Sequence, residues 1–103
     1  MVDLPAGRQG GFLYNVNVEY FVYIIQSQKD GSFYKGLTNN LSNRIRQHNA
    51  GNNLSTKSKR PYKLIYFERY NNRIEARKRE KYWKSGVGRD NIDKLIHSPV
   101  AQW

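Results

Sequence analysis

The chain lacks cysteine, contains only two histidines and has no long apolar run. Without cysteine it forms neither a disulfide nor a thiolate-bound metal site, and His48 and His97 are too few for an all-histidine site. The longest apolar run, residues 21–25, is far too short to cross a bilayer. Residues 1–18 do not combine a basic start with an apolar block, so we predict no signal peptide and expect a reducing, cytoplasmic location.

Acidic residues are also scarce. Only 8 Asp and Glu stand against 18 Lys and Arg, which leaves a formal net charge of +10 on 103 residues. A chain of this length forms one domain with a modest core. So large an excess of positive charge on so small a surface predicts a polyanionic partner, most often nucleic acid. An anionic membrane is the other candidate, but no segment combines a clean apolar helical stripe with basic flanks.

The order of apolar and turn segments predicts a small α/β fold, in which a three-stranded antiparallel sheet is flanked by about three helices in the order β-β-α-β-α-α. The strands are predicted at residues 20–26, 33–37 and 62–70, and the last two helices at 72–85 and 89–97. We expect residues 1–18 to be a flexible N-terminal extension with a short extended piece at 12–16, residues 19–97 to form the domain, and 98–103 to be a tail.

Two tyrosines are predicted to share one face of a hairpin. The turn at residues 29–32 is a strong hairpin signal and allows two registers, in which Tyr34 lies opposite either Ile25 or Ser27. Both partners are an even number of residues from Tyr23, so either register places Tyr23 and Tyr34 on the same side of the sheet. In the third strand, the same alternation predicts one face for Leu64, Tyr66 and Glu68 and the other for Ile65 and Phe67.

The first helix is predicted to begin after Asn39 or Asn40 and to end at Gly51. Leu41 and Ile45 lie four residues apart and are expected to face the core.

Arg44 and His48 also lie four residues apart and therefore on one side of that helix. With Tyr23 and Tyr34 they could converge on a single polar patch. Gly36 follows Tyr34 and marks a bulge or a close backbone approach, which either a phosphate or plain packing would explain.

Glu80 is predicted to lie on the buried side of its helix, in a stripe with Ala76, Trp83 and Val87. A carboxylate there is costly unless it is paired or binds a cation. Two explanations stay open: a metal ion, or a salt bridge to one of the cations within one helical turn, Arg73, Arg77 or Lys84.

Basic residues are concentrated in two segments, 57–60 and 77–79. Phosphate contacts by such groups give affinity and salt sensitivity without base recognition. The candidate nucleic-acid-binding residues are Lys35, Lys57, Lys59, Arg60, Arg77 and Lys78.

The combination of these residues resembles the GIY-YIG nuclease family. Phe21-Val22-Tyr23 and Tyr34-Lys35-Gly36 stand where the family has its two name motifs, and the family's spacings also match at Arg44, His48, Gly51 and Glu80. The likeness is greatest to the small stand-alone members and more distant to the similar domain of UvrC-type repair proteins. It covers roughly residues 19–97.

The resemblance implies a metal-dependent endonuclease that cleaves branched, flap or duplex DNA, with repair or recombination as its setting. Tyr34 would accept a proton from the attacking water and Tyr23 would orient that water or a phosphate oxygen, although the reverse assignment is equally compatible with the sequence. Arg44 would steady the phosphate, and His48 would share a proton with it or relay one. Glu80, in an Ala-x-x-x-Glu helix like that of the family, would bind Mg²⁺ or Mn²⁺.

The sequence departs from the family at Phe21 and Lys35, which replace Gly and Ile of the name motifs. Some relatives carry a further polar residue after the catalytic helix, for which Asn91 is the nearby candidate. The alternative function is a noncatalytic nucleic-acid-binding module on the same scaffold, for which Glu80 would be dispensable. An RNA-associated protein is a third possibility.

Overall fold

The computed structural model describes residues 18–96, so the predicted N-terminal extension before Val18, His97 and the tail lie outside the described residues. Within this range, no helix has the length and apolar character needed to cross a membrane. The elements are β1 Tyr20–Ser27, β2 Phe33–Thr38, α1 Leu41–Ala50, a 3₁₀ turn Lys57–Lys59, β3 Tyr62–Tyr70, α2 Arg73–Lys84 and α3 Gly86–Ile96. The predicted order of strands and helices is confirmed.

The three strands form an antiparallel sheet in the order β2-β1-β3, with β1 in the centre. In the hairpin, Tyr34 lies opposite Ile25 and Gly36 lies opposite Tyr23, so the structure has one of the two predicted registers. Tyr23 and Tyr34 therefore lie on the same face of the sheet.

Each face of the sheet carries its own apolar cluster. One cluster packs against α2 and α3, and its buried residues are Val22, Ile24, Ala76, Trp83 and Ile92. The other contains buried Tyr23, Ile25 and Tyr62 and is covered by α1, whose Leu41 and Ile45 face it as predicted. The central strand is thus buried on both faces.

A β-bulge in β3 changes the predicted face of several side chains. Ile24 pairs with Tyr66 whereas the next residue, Ile25, pairs with Leu64, so Ile65 is an extra residue in β3. Leu64 consequently packs in the cluster under α1, and Tyr66 in the cluster on the opposite face. The prediction of one face for Leu64 and Tyr66 was wrong because it assumed uninterrupted alternation.

Helix α1 begins and ends where the sequence predicts. The Asn40 side chain accepts a hydrogen bond from the Asn43 backbone N–H, and the Gly51 N–H reaches the carbonyls of the last turn. Gly51 adopts a left-handed conformation with φ of 82°. This positive φ is the reason for glycine here, because the Arg60 guanidinium group that a Cβ atom would meet is the end of a flexible side chain and can move aside.

The corner between α2 and α3 is formed by one residue, Ser85. Its backbone N–H donates to the Tyr82 carbonyl at the end of α2, while its hydroxyl accepts from the Gly88 N–H in the first turn of α3. Helix α3 therefore begins at Gly86. The predicted start at residue 89 was wrong. The prediction took Gly86 and Gly88 as helix-ending residues, but Gly88 lets α3 approach the backbone of Trp83.

Because α2 ends at this corner, the predicted burial of one residue in its stripe was wrong. Ala76 and Trp83 are buried against the sheet as expected. Val87 is 63% exposed. The prediction continued the buried stripe of α2 as far as Val87, but α2 ends at Lys84.

Glu68 anchors α2 to the sheet through a network that the sequence did not predict. Its carboxylate accepts two hydrogen bonds from Arg79, at 2.8 and 3.0 Å, and one from Trp83 Nε1 at 3.2 Å. The phenols of Tyr66 and Tyr70 donate to the same carboxylate at 2.6 and 2.8 Å. Burial acts to raise the pKa of Glu68, but these donors outweigh it and lower the pKa to about 2.

Candidate active site

Tyr23 occupies the space that a side chain at Gly36 would fill. The two residues are paired across β1 and β2, and a Cβ atom at Gly36 would overlap the phenol ring of Tyr23. Of the two explanations left open for this glycine, the structure shows close packing.

Tyr23 begins a buried chain of hydrogen-bonding side chains. Its hydroxyl lies 2.9 Å from His48 Nε2, and His48 Nδ1 lies 2.8 Å from the Thr56 hydroxyl. The Thr56 hydroxyl in turn lies 3.3 Å from the backbone carbonyl oxygen of Asn53. Tyr23, His48 and Thr56 are all almost completely buried, so β1, α1 and the loop after α1 each contribute one polar side chain to the core.

Burial favours the neutral forms of two rings in this hydrogen-bonded series, the phenol of Tyr23 and the imidazole of His48. Burial is the main cause that raises the pKa of Tyr23, with Tyr34 adding to the rise, and the positive charge of Arg44 opposes it. Burial and the Arg44 charge both lower the pKa of His48. A neutral imidazole therefore lies beside a protonated phenol.

Tyr34 packs against this pair from the edge strand β2. Its ring centroid lies 4.9 Å from that of His48 and 6.5 Å from that of Tyr23. Tyr62 flanks His48 at 6.1 Å. Unlike Tyr23, Tyr34 is only partly buried, so it is the phenol of the two that is more open to solvent.

An open cavity of about 320 Å³ adjoins the aromatic cluster, where β1 begins and β2 ends. Arg44 belongs to both regions, since its positive charge acts on Tyr23 and its side chain lines the cavity. Its Nη1 donates to Gln47 at 3.3 Å, but its buried Nε has no hydrogen-bond partner among residues 18–96. The lining residues are Tyr20, Leu37, Thr38, Asn39, Arg44, Arg73, Arg77 and Glu80.

Glu80 supplies the carboxylate of this cavity, and its side chain is only 14% exposed. Lys84 Nζ lies 3.0 Å from one carboxylate oxygen and Arg77 Nε lies 3.8 Å from the other. The predicted salt-bridge partners Arg77 and Lys84 are thus present, whereas Arg73 lines the cavity beside them.

A metal ion here would depend on one protein carboxylate. No group of three or more His, Asp and Glu side chains suited to a metal occurs in the described part of the chain. Mg²⁺ commonly uses one or two carboxylates, with water and substrate phosphates completing its ligands. Glu80 is a mostly buried carboxylate that lines an open polar cavity. It fits that mode of binding and does not fit a site built from protein ligands alone.

The structure brings the five predicted catalytic residues into two adjoining groups. Tyr23, Tyr34 and His48 form the aromatic cluster, Glu80 lies in the cavity, and Arg44 belongs to both. Glu80 is close enough to Tyr23 to contribute to the rise in its pKa, which the larger effect of burial dominates.

Asn91 and Thr56 are not among the five predicted catalytic residues. Asn91 does not line the cavity, because its side chain donates to the Tyr82 hydroxyl between α2 and α3. Sequence reasoning missed Thr56, which lies in a polar loop where nothing distinguishes its hydroxyl from those of its neighbours.

The predicted nucleic-acid-binding residues lie in separate places. Lys57 and Arg60 line a second cavity of about 530 Å³, together with Lys29, Leu54 and Ser58. This loop is attached to the far end of β1, where the Ser27 hydroxyl donates to the Lys59 carbonyl. The length of β1 therefore separates it from the Glu80 cavity by roughly 20–25 Å.

The remaining basic candidates differ in their surroundings. Lys59 lies 3.5 Å from Asp30, and Lys78 lies 3.5 Å from Glu75. Arg77 lines the Glu80 cavity itself. Lys35 is half-buried, and burial together with Arg89 and Lys84 lowers its pKa.

Comparison with known proteins gives a consistent match. Residues 19–92 match the family model described as GIY-YIG catalytic domain. The chain is 48% identical over 79 residues to UPF0213 protein CPE1444 of Clostridium perfringens, covering 76% of this chain and 83% of that protein. It is 40% identical over 79 residues to UPF0213 protein lmo0166 of Listeria monocytogenes, covering 76% and 86%. The solution NMR structure of UPF0213 protein BH0048 from Bacillus halodurans matches with a TM-score of 0.50 and 27% identity, over 81% of this chain and 90% of that one.

Proposed function

The chain belongs to the GIY-YIG catalytic domain family, and from that premise we propose that it is a metal-dependent endonuclease that hydrolyses DNA phosphodiester bonds. The family is one of nucleases, and its small UPF0213 members resemble this chain over most of their length. The metal, the DNA substrate and the assignment of residues to steps are our proposals.

The observation that carries the proposal is the position of Arg44. Its buried Nε lacks a hydrogen-bond partner among the described residues, and the side chain lines an open cavity opposite a carboxylate. An unpaired guanidinium donor in a partly buried site is costly, and a phosphate oxygen is the kind of acceptor that guanidinium groups bind best. A phosphodiester bound in the cavity would satisfy Arg44.

Glu80 would hold the divalent cation, Mg²⁺ or Mn²⁺. When bound, that ion would act as a Lewis acid that offsets the negative charge developing on the phosphate. Ion pairs with Lys84 and Arg77 hold the carboxylate of Glu80 at the cavity.

We propose that Tyr23 and His48, which lie beside the cavity but do not line it, take up the proton of the attacking water. Tyr23 donates to His48 Nε2, which is the unprotonated nitrogen of a neutral imidazole in this assignment. As the water attacks phosphorus and its proton moves to the Tyr23 oxygen, the proton of Tyr23 moves to His48 Nε2. The bond from phosphorus to the leaving sugar oxygen breaks, and that oxygen takes a proton from solvent water. Tyr23 ends the step as a neutral phenol and His48 as an imidazolium ion.

In this scheme the two tyrosines exchange the roles that the resemblance implies. Tyr34, which is more exposed and packs on His48, would orient the water, while Tyr23 accepts its proton. His48 is buried behind both rings, which favours the proton relay over direct phosphate contact. Arg44 alone would steady the phosphate.

DNA would lie across the face that joins the Glu80 cavity to the basic loop. A separation of roughly 20–25 Å along β1 corresponds to about six or seven base pairs. Lys57 and Arg60 lie at the far end of this track, and we propose that their phosphate contacts give affinity rather than sequence choice.

Replacing Lys57 and Arg60 together by alanine should weaken DNA binding about tenfold or more at moderate salt. It should also reduce the slope of log affinity against log salt by about 2, since each lost phosphate contact removes about 0.9. Single-turnover cleavage at saturating protein should be nearly unchanged. Arg69→Ala is the control, because Arg69 pairs with Glu19 at 3.6 Å at the other end of the sheet. An unchanged salt slope in the double variant would remove the basic loop from the DNA track.

The proposed function is tested by incubating the protein with labelled single-stranded, duplex, flap and branched DNA in Mg²⁺, Mn²⁺ or EDTA. We expect cleavage that requires the ion and favours one DNA shape. RNA of the same shapes at the same salt tests for an RNA substrate. Salt-sensitive binding without cleavage on any substrate would contradict the enzyme.

That outcome would support a noncatalytic nucleic-acid-binding module. The ion pairs of Glu80 with Lys84 and Arg77 favour this second candidate, since they neutralise the carboxylate without a metal. We favour the enzyme because the family is one of nucleases and because a carboxylate, Glu80, shares the cavity with Arg44, which phosphate binding alone does not require. We also propose a cytoplasmic location and a role in repair or recombination, supported respectively by the absence of cysteine and by the resemblance to UvrC-type domains.

A further inference from the structure

The buried hydrogen-bond chain faces a positive charge at one end and has a group of fixed polarity at the other. Arg44 acts on Tyr23 at the first end, where its guanidinium group can only donate. At the other end is the Asn53 backbone carbonyl, which only accepts and lies 3.3 Å from the Thr56 hydroxyl oxygen. The three groups between them, Tyr23, His48 and Thr56, can each donate and accept.

The Asn53 carbonyl determines the direction of every bond in this chain. The Thr56 hydroxyl proton is directed to Asn53, so the Thr56 oxygen accepts from His48 Nδ1 at 2.8 Å. A neutral imidazole with a proton on Nδ1 has a lone pair on Nε2, which accepts the Tyr23 proton at 2.9 Å. The Tyr23 oxygen then keeps its lone pairs on the side of the Arg44 charge. In this arrangement Tyr23, His48 and Thr56 each donate a hydrogen bond to the next acceptor.

We infer that Thr56 is a positioning residue that holds His48 in the tautomer with its proton on Nδ1, so that Nε2 is free to receive the proton of Tyr23. This inference assigns a role to the loop after α1, and its consequence for cleavage rests on the proposed function. The opposite tautomer would place a proton on Nε2, and His48 could then accept nothing from Tyr23.

The local structure fixes the Thr56 hydroxyl in the required place. Thr56 is completely buried, and its own backbone N–H also donates to the Asn53 carbonyl, at 3.1 Å. The Asn53 side chain caps the same turn by accepting from Ser55 N–H at 3.1 Å and from the Ser55 hydroxyl at 2.7 Å. Thr56 therefore has little freedom to turn its hydroxyl proton toward His48.

The tautomer is read directly by NMR of protein labelled with ¹⁵N in histidine, because the two ring nitrogens give different shifts and different correlations to the ring carbon protons in each tautomer. His97→Gln removes the signals of the other histidine. In the wild-type protein we expect the proton of His48 on Nδ1. In Thr56→Val, which keeps the shape but removes the acceptor, we expect a shift toward the tautomer protonated on Nε2. Thr56→Ser should restore the wild-type pattern.

The same variants are then compared in Mg²⁺-dependent cleavage. Thr56→Val should lower kcat roughly 10- to 100-fold with little change in KM, and Thr56→Ser should recover most of it. Thermal unfolding and DNA binding identify a variant that has lost its fold. If Thr56→Val is poorly folded, the inference is still tested by the tautomer of His48 in the wild-type and Thr56→Ser proteins.

The two proposals fail in different ways. A proton on His48 Nε2 in the wild-type protein would overturn the inference whatever the activity. An unchanged tautomer in a folded Thr56→Val protein would do the same. A proton on Nδ1 that shifts in Thr56→Val, in a protein that cleaves no substrate, would support the positioning role of Thr56 and count against the nuclease.

Discussion

Mg²⁺-dependent DNA cleavage should fall by roughly 10²- to 10³-fold when Glu80 is replaced by glutamine. Glutamine keeps the size and hydrogen-bonding shape of the side chain but removes the charge that would hold a divalent cation in the Glu80 cavity. A bound ion of this kind contributes several kcal/mol to stabilising the developing charge, and each 1.36 kcal/mol corresponds to about tenfold in rate. The measurement is single-turnover cleavage of the preferred substrate across a Mg²⁺ titration.

DNA binding should be retained in Glu80→Gln, because the loss of one negative charge leaves the cavity more positive near Arg77 and Lys84. Glu75→Gln is the matched control on the same helix. Glu75 is also ion-paired, to Lys78 at 3.5 Å, but its side chain is 54% exposed and is not part of the cavity lining. Cleavage by Glu75→Gln should be unchanged. Full activity of Glu80→Gln would exclude Glu80 as the metal ligand.

Glu68→Ala should lower the free energy of unfolding by roughly 3 kcal/mol or more, which is a large share of the stability of a small domain. The side chain of Glu68 is only 11% exposed, and its removal leaves the charge of Arg79 and the indole N–H of Trp83 without their acceptor. Tyr66 and Tyr70 also lose an acceptor. Urea unfolding at neutral pH measures the change, and Glu75→Gln again serves as the control, with an expected change below about 0.5 kcal/mol.

The same network gives the domain a predictable acid sensitivity. The pKa of Glu68 is lowered to about 2 in the folded protein, whereas an unfolded glutamate has a pKa of about 4.3. The carboxylate therefore stabilises the fold fully above the unfolded pKa, and this contribution is lost as pH falls from about 4.3 toward 2. The difference in unfolding free energy between wild type and Glu68→Gln should shrink over that interval. A difference that stays constant from pH 6 to 3 would contradict the role of Glu68.

Much of the fold follows from local signals in the sequence. The hairpin and the first helix are predicted with nearly correct ends. The signals are the turn at residues 29–32, the caps Asn40 and Gly51, and the alternation of side chains between the two faces of β1. Two features escape prediction because they depend on tertiary contacts. The bulge at Ile65 adjusts β3 to its neighbour, and Gly88 belongs to a helix because it fits against Trp83.

The site was predictable to a similar degree. Motif spacing selected Tyr23, Arg44, His48 and Glu80, which the structure brings into adjoining positions. Spacing gives no information about which hydroxyl in a polar loop reaches His48, so Thr56 was missed. Glu68 was assigned a strand face but no partner, because Arg79 lies on a separate element and was taken as part of a basic surface run.

Tyr23, His48 and Thr56 are among the largest completely buried side chains of the described residues. The groups proposed to move a proton are thus also the groups that fill the space under α1. Substitutions that improve apolar packing there would remove polar atoms of the relay, so thermostability and turnover should trade against each other at these positions. Searches for stabilised variants that leave the chemistry intact therefore have more freedom on the opposite face, among Val22, Ile24 and Ile92. In this domain the two faces of one sheet differ in what they can tolerate.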